Sequence, residues 1–213
     1  MDTQAAGTCY ACDQPATTRE HAPPLAFFPK GLRNNLITVP SCELHNNPIS
    51  ADVEYARNVI STMLGVNEVG QLHFFDKAIR SFDHTPALLH TTFSDIRPVS
   101  IRGMTTGVFT LDVARITNVM TACIRALHFR ETGERIYDWE LAFPNLHFSS
   151  GDATEEEAAG WRESLSVFRR IPFSPQATSS PDVFQYAMAD IEDHRVYSLL
   201  FYRGFAVYAF RTP

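Results

Sequence analysis

Four residues near the N-terminus have the types and spacing of a zinc site. Cys9 and Cys12 form a C-x-x-C pair, Cys42 and His45 form a C-x-x-H pair, and residues 13–41 separate the two. Thiolate sulfur and imidazole nitrogen are ligands of tetrahedral zinc. Each pair presents two ligands from one turn, so assembling the site requires the closure of only one long loop. The spacing therefore predicts a structural zinc ion. The alternatives are buried free cysteines with a surface histidine, or a redox C-x-x-C.

A second group of polar residues lies between the two cysteine-containing pairs and directly after the second pair. Glu20 and His21 are adjacent, Asn35 lies between the zinc pairs, and Asn46 follows His45 directly. A histidine can take a proton from water at neutral pH. Carboxylate and amide oxygens are hard ligands that suit Mg²⁺. Because a zinc ion with four protein ligands has no open position, hydrolytic chemistry would belong to this second group.

Short elements must position both groups. The residues 17–21 predict a strand, and the apolar, β-branched residues 36–39 predict a second strand. After the Cys42–His45 turn, apolar residues at helical spacing predict a helix that ends near Leu64. A unit of this size has too small a core to stand alone, which is a further reason to expect a stabilising zinc ion.

The order of these motifs resembles the HNH (ββα-metal, treble-clef) endonuclease family. The matching segments are C-x-x-C, E-H-x-x-P, N-L-x-x-V and C-x-x-H-N, and they extend over residues 9–64. Each motif alone has little specificity, so the resemblance depends on their order between two zinc pairs. It implies an α+β fold in which a zinc-stabilised ββα-metal (treble-clef) module comes first.

The resemblance also implies a role for each matched residue. His21 would be the general base that activates water, and Asn35 would brace the loop that carries this base. Glu20 and Asn46 would hold a catalytic Mg²⁺ or Mn²⁺ ion. Most members have a histidine where this chain has Asn46, so the chain would be an H-N-N variant.

Two alternatives remain open for the ligands. Asn47 could replace Asn46 as the metal ligand, and an asparagine at a helix start is also an ordinary cap. In a second alignment, His45 joins the catalytic site and leaves zinc with three cysteines. The matched spacing of the two zinc pairs favours the first alignment.

The remainder of the chain predicts an α+β region. The clearest helix extends over 111–130, with Cys123 on its apolar face, and a shorter helix is predicted near 68–82. The residues 174–181 predict a loop. Three strands are predicted at the end of the chain, over residues 183–189, 196–202 and 205–210. Arg203-Gly204 is predicted to form a tight hairpin turn between the last two strands.

These elements predict two units, an HNH nuclease module in residues 1–65 and an accessory domain in residues 66–213. The accessory domain would contact DNA, form a dimer or dock a partner. Arg115, Asn118 and Arg125 share one face of the long helix, which is either a phosphate-contacting face or a solvated one.

Composition limits the class of protein. The chain has 213 residues and a net charge of -6 at pH 7. That charge argues against a protein that coats nucleic acid, although a local basic patch is compatible with it. No apolar run approaches the roughly 20 residues that span a bilayer. The N-terminus lacks the basic and apolar regions of a secretory signal, so we expect a cytoplasmic protein without membrane contact.

The function that the resemblance implies is metal-dependent hydrolysis of phosphodiester bonds in nucleic acid, with DNA favoured, as in restriction or phage defence. One HNH centre cuts one strand, so duplex cleavage would suit a homodimer, and an activating protein partner is also compatible. The alternative is a non-catalytic zinc-bound module that binds nucleic acid or protein.

Overall fold

The structure is a computed structural model that describes residues 7–46, 49–101, 103–147, 155–192 and 194–211. Asn47, the alternative metal ligand, lies outside these residues. The chain combines helices with antiparallel strands, which confirms the predicted mixture of the two.

The N-terminal segment forms two strands and a helix in the predicted order. Strand β1 (Thr18–His21) pairs antiparallel with β2 (Thr38–Ser41), so that His21 lies opposite Thr38. Two short 3₁₀ turns, Leu25–Phe27 and Lys30–Leu32, occupy the proline-rich connection between the strands. Helix α1 (Ser50–Thr62) follows and ends near the predicted position.

A chain of short helices and a hairpin follows α1. The helical elements are α2 (Glu68–His73), a π-helical segment (Phe74–Ile79), α3 (Arg80–His84) and α4 (Pro86–Thr92). The single helix predicted near 68–82 is therefore an α-helix interrupted by a π-helical segment. The hairpin consists of β3 (Ser94–Ile101) and β4 (Met104–Thr110).

Helix α5 (Val113–Thr132) is the long helix that the apolar periodicity predicts. The Asp112 side chain caps its start by accepting a hydrogen bond from the backbone N–H of Arg115, and Gly133, with a positive φ of 76°, ends it. Its apolar face packs into the core, and Cys123 is buried there as predicted.

The C-terminal part forms a five-stranded antiparallel sheet. In spatial order its strands are β5 (Glu140–Ala142), β9 (Phe205–Phe210), β8 (His194–Phe201), β7 (Phe184–Ile191) and β6 (Ser174–Gln176). Helices α6 (Pro144–His147) and α7 (Glu155–Arg170) connect β5 to β6.

The strand β6 corrects the prediction of a loop over 174–181. Its three residues pair with β7 at the edge of the sheet, where Pro175 is tolerated because an edge strand need not donate on its free side. A segment this short has no periodicity of its own, so only its pairing with β7 identifies it as a strand.

One hydrophobic cluster contains residues from both parts of the chain. Phe27 and Ile60 from the N-terminal segment belong to the same buried cluster as Leu127, Phe201 and Phe205. A unit boundary at residue 65 stays a prediction. Among the described residues, none of the helices has both the length and the apolar character needed to cross a bilayer.

Candidate metal centre and adjoining cleft

The structure brings the two predicted zinc pairs together. The ligand atoms of Cys9, Cys12, Cys42 and His45 all lie within 4.8 Å of one another. Cys9 and Cys12 come from the turn before β1, which the bridge between Thr8 and Pro15 closes. Cys42 and His45 come from the turn after β2, where the His45 N–H donates to the Cys42 carbonyl oxygen at 3.1 Å. These four residues could hold a metal ion.

The spacing of the ligand atoms fits zinc. Bond lengths of about 2.3 Å to sulfur and about 2.0–2.1 Å to nitrogen in a tetrahedron imply separations of about 3.8 Å between sulfurs and about 3.5 Å between sulfur and nitrogen. Cys12 Sγ and Cys42 Sγ are 3.8 Å apart, and His45 Nδ1 lies 3.6 Å from Cys9 Sγ and 3.3 Å from Cys42 Sγ. The cluster therefore needs little movement to enclose a zinc ion.

The protonation of Cys9 also suits a metal ligand. Burial acts to raise the pKa of the Cys9 thiol, but hydrogen bonds from the backbone N–H groups of Ala11 and Cys42 lower that pKa overall. The Ala11 N–H lies 3.4 Å from Cys9 Sγ. A lowered pKa favours the thiolate, which is the form of cysteine that binds metal.

A cleft of about 510 Å³ adjoins this cluster. Glu20 and His21, at the end of β1, line the cleft together with His45. Both Glu20 and His21 are partly buried. The cleft therefore brings the predicted metal ligand Glu20 and the predicted base His21 beside His45 of the Cys/His cluster.

The environment of His21 favours its neutral form. Burial lowers the pKa of His21, and the positive charges of Arg19 and Arg33 lower it further. Its ring is therefore neutral at physiological pH and can accept a proton.

The two predicted asparagines do not line the cleft among the described residues. Asn35 is exposed and has a φ of 52°, a left-handed conformation that asparagine adopts more readily than most residues. Turn geometry therefore accounts for an asparagine at this position. Asn46 is partly buried and follows His45 directly in the chain. The predicted roles of Asn35 and Asn46 stay predictions.

Helix α5 supplies one wall of the cleft, and the predicted polar face of this helix divides into two parts. Arg115 is engaged away from the cleft: its Nε lies 2.8 Å from the Asp52 carboxylate and its guanidinium covers the ring of Tyr55. Asn118 and Arg125 line the cleft. The Asn118 side-chain amide also donates a hydrogen bond to the Asp52 carboxylate, with 3.1 Å between Nδ2 and Oδ2.

The sequence did not predict that residues from the turn before β1, the middle of α5 and the segment after α5 would complete this cleft. Tyr10, Cys123 and Tyr137 also line it. Burial, with a smaller contribution from the charge of Glu20, raises the pKa of the Cys123 thiol and so favours its protonated form. The spacing of Asn118 and Arg125 on α5 had already placed these two residues on one face of the helix.

A second, smaller cleft of about 310 Å³ lies between α5 and the sheet, and its cations are already paired. Arg195 lies 2.8 Å from Asp190, and Arg211 lies 2.8 Å from Asp138. This charge balance makes the second cleft less suited to an anionic ligand than the first.

Comparison of the chain with family models, with curated proteins and with solved structures gave no match. The interpretation of the site therefore depends on its residues and their geometry.

Proposed function

We propose that this chain is a divalent-metal-dependent endonuclease of the HNH type, with a treble-clef arrangement around a structural zinc ion and with DNA as its favoured substrate. One observation carries the proposal: Glu20 and His21 line one cleft with His45 of the Cys/His cluster. The antiparallel strands β1 and β2 followed by α1 are the element order of a ββα-metal module.

The zinc ion would have a structural role. Cys9, Cys12, Cys42 and His45 supply four ligands, so no position would remain for substrate or water. Closing the turns before β1 and after β2 on one ion would hold the start of β1 against the end of β2. The chemistry would then belong to residues other than these four.

Glu20 and Asn46 are the proposed ligands of the catalytic Mg²⁺ or Mn²⁺ ion. Their carboxylate and amide oxygens are the hard donors that these cations prefer. Such an ion, when bound, would neutralise charge on the scissile phosphate and stabilise the leaving oxygen.

His21 is the proposed general base. Its lowered pKa leaves the ring neutral, so that it can take the proton of the attacking water. The pairing of His21 with Thr38 across β1 and β2 holds the backbone of the base, and the left-handed turn at Asn35 leads into β2.

The direct test is the incubation of the purified protein with supercoiled plasmid, with Mg²⁺, with Mn²⁺ and with neither. Metal-dependent cleavage is expected, and the His21→Ala variant should lose about 10²–10⁴-fold in rate, the usual contribution of a general base. His90→Ala is the matched control, since His90 is an exposed histidine of α4. Zinc content should be equal in all three proteins.

The products distinguish the remaining alternatives. Nicked plasmid would indicate a centre that cuts one strand, whereas linear plasmid would indicate paired sites in a homodimer. If the His21→Ala variant cleaved plasmid as fast as the wild type, the assignment of His21 as the general base would be refuted. Binding of nucleic acid without cleavage of plasmid, single-stranded DNA or RNA would favour the non-catalytic zinc-bound module.

A further inference from the structure

Arg125 is the permanent cation of the cleft. Among the described residues that line the cleft, Arg125 is the sole lysine or arginine. The other arginines near the ends of α5 have carboxylate partners, Asp52 for Arg115 at 2.8 Å and Glu131 for Arg130 at 3.4 Å. The long helix therefore presents one cation to the same space as Glu20 and His21.

Contacts with Tyr137 hold the Arg125 side chain in position. Arg125 donates a hydrogen bond to the Tyr137 carbonyl oxygen at 2.8 Å, and its guanidinium carbon lies 5.2 Å from the centre of the Tyr137 ring. The Tyr137 hydroxyl in turn donates to the Ala11 carbonyl oxygen, between Cys9 and Cys12, at 3.2 Å. The position of Arg125 is therefore connected to the first zinc pair.

Much of the hydrogen-bonding capacity of Arg125 is left over after these contacts. A guanidinium has five N–H donors in a planar fork. Within the described part of the chain, Tyr137 supplies the one hydrogen-bond acceptor, which Nη2 contacts, so that Nη1 and the second N–H of Nη2 have no protein acceptor. A cation that is positioned by stacking, yet has donors without acceptors, is suited to an anionic oxygen ligand.

We propose that Arg125 binds a phosphate of the nucleic-acid backbone, at or next to the scissile bond, while His21 and Glu20 of β1 act on the same segment as base and metal ligand. This inference rests on the proposed endonuclease function and extends its site to a residue of α5. Arginine suits this role because its fork can donate two parallel hydrogen bonds to one phosphate. Asn118, although it lines the same cleft, is held by Asp52.

The test compares Arg125→Gln and Arg125→Lys with Arg130→Gln, which removes the same charge from the same helix away from the cleft. Plasmid cleavage with Mg²⁺ gives one measurement. The second is the binding of a short fluorescent DNA duplex in Ca²⁺, followed over a range of salt concentrations. Thermal unfolding confirms that each variant is folded.

For Arg125→Gln we expect roughly 10- to 100-fold slower cleavage, the effect of losing a charged hydrogen bond. The slope of log Kd against log salt should also fall by about 0.9, which corresponds to one phosphate contact on duplex DNA. Arg125→Lys should retain the slope but recover only part of the rate, because an ammonium lacks the fork. Arg130→Gln should resemble the wild type in both measurements.

The outcomes separate this inference from the proposed function. Wild-type cleavage that depends on His21, together with an Arg125→Gln variant indistinguishable from Arg130→Gln, would refute the role of Arg125 and leave the nuclease intact. Binding without cleavage, with the slope reduced only in Arg125→Gln, would refute the nuclease and support the phosphate contact. Neither binding nor cleavage by the wild type would refute both.

Discussion

Arg135 Nε donates a hydrogen bond to the carbonyl oxygen of Cys9 at 2.9 Å, although 126 positions separate the two residues in the chain. The same guanidinium pairs with Asp13 at 3.0 Å and covers the ring of Phe129 at 5.3 Å. It also donates to the Thr8 hydroxyl. Arg135 therefore joins the segment after α5 to the turn that carries the first zinc pair.

Arg135→Ala should lower the free energy of unfolding by about 1–3 kcal/mol, because the Cys9 carbonyl oxygen would lose its charged donor in a partly buried position. Urea unfolding in the presence of zinc measures this change. Arg97→Ala, at an exposed position of β3, should change the same quantity by less than about 0.5 kcal/mol. Equal effects of the two substitutions would mean that the link to Cys9 contributes nothing specific.

Loss of one cysteine of the cluster should remove the zinc ion and its stabilisation. A site that is present at about 1,000 times its Kd for zinc stabilises the folded state by about 4.1 kcal/mol. Cys12→Ser should therefore bind no zinc and unfold more easily by about this amount, and a chelator should do the same to the wild type. Metal analysis and thermal unfolding measure both effects.

The matched control for this prediction is Cys123→Ala, which removes a buried thiol of α5 that lies outside the cluster. This variant should keep one zinc ion for each chain. Zinc retained by Cys12→Ser, or released by Cys123→Ala, would contradict the assignment of the ligands.

Stability should fall in acid because His73 is buried in its neutral form. The ring is 3% exposed, and its Nε2 lies 2.9 Å from the Ala26 carbonyl oxygen. Burial lowers the pKa of His73, although the hydrogen bond to Ala26 opposes this change. In the unfolded chain the pKa is about 6.5, so below that pH the unfolded state binds more protons than the folded state. The free energy of unfolding should therefore decrease as the pH falls from about 6.5, by at most about 1.4 kcal/mol per pH unit for this residue.

His73→Gln tests this origin of the acid sensitivity, because an amide can still donate to Ala26 but does not titrate in this range. Urea unfolding at about pH 7.5 and about pH 5.5 should show a smaller loss of stability for His73→Gln than for the wild type. His90→Gln, at an exposed position, should follow the wild-type profile. Identical losses in His73→Gln and the wild type would assign the effect to other groups.

Local patterns were enough to predict the elements that carry the candidate site. The spacing within the Cys9–Cys12 and Cys42–His45 pairs predicted a cluster that the structure assembles, because each pair is closed by its own turn. The strand around Val39 followed from its apolar, β-branched residues, and the long helix α5 followed from apolar periodicity. Periodicity could not identify β6 or the π-helical segment, since neither has a pattern distinct from its surroundings.

At other positions, only the tertiary structure explains why a particular residue type is required. The Arg203-Gly204 pair indicated a tight turn, but the need for glycine at position 204 comes from a distant segment. A Cβ atom on Gly204 would lie 2.5 Å from the Gly65 carbonyl oxygen, a backbone atom that cannot move aside cheaply. The buried Tyr202 next to it donates to the Phe27 carbonyl oxygen at 2.6 Å and so anchors the loop after β1.

The sequence by itself predicted the four residues of the Cys/His cluster, because their metal-binding character depends on chemical identity and on spacing within one turn. Only the tertiary structure decided which residues of α5 share the cleft with Glu20 and His21. Arg115 and Arg125 are both cations on the surface of α5. Arg115 forms an ion pair with Asp52, whereas Arg125 lines the cleft beside Tyr137. Packing of the whole core sets these distances, and no local pattern in the chain encodes them.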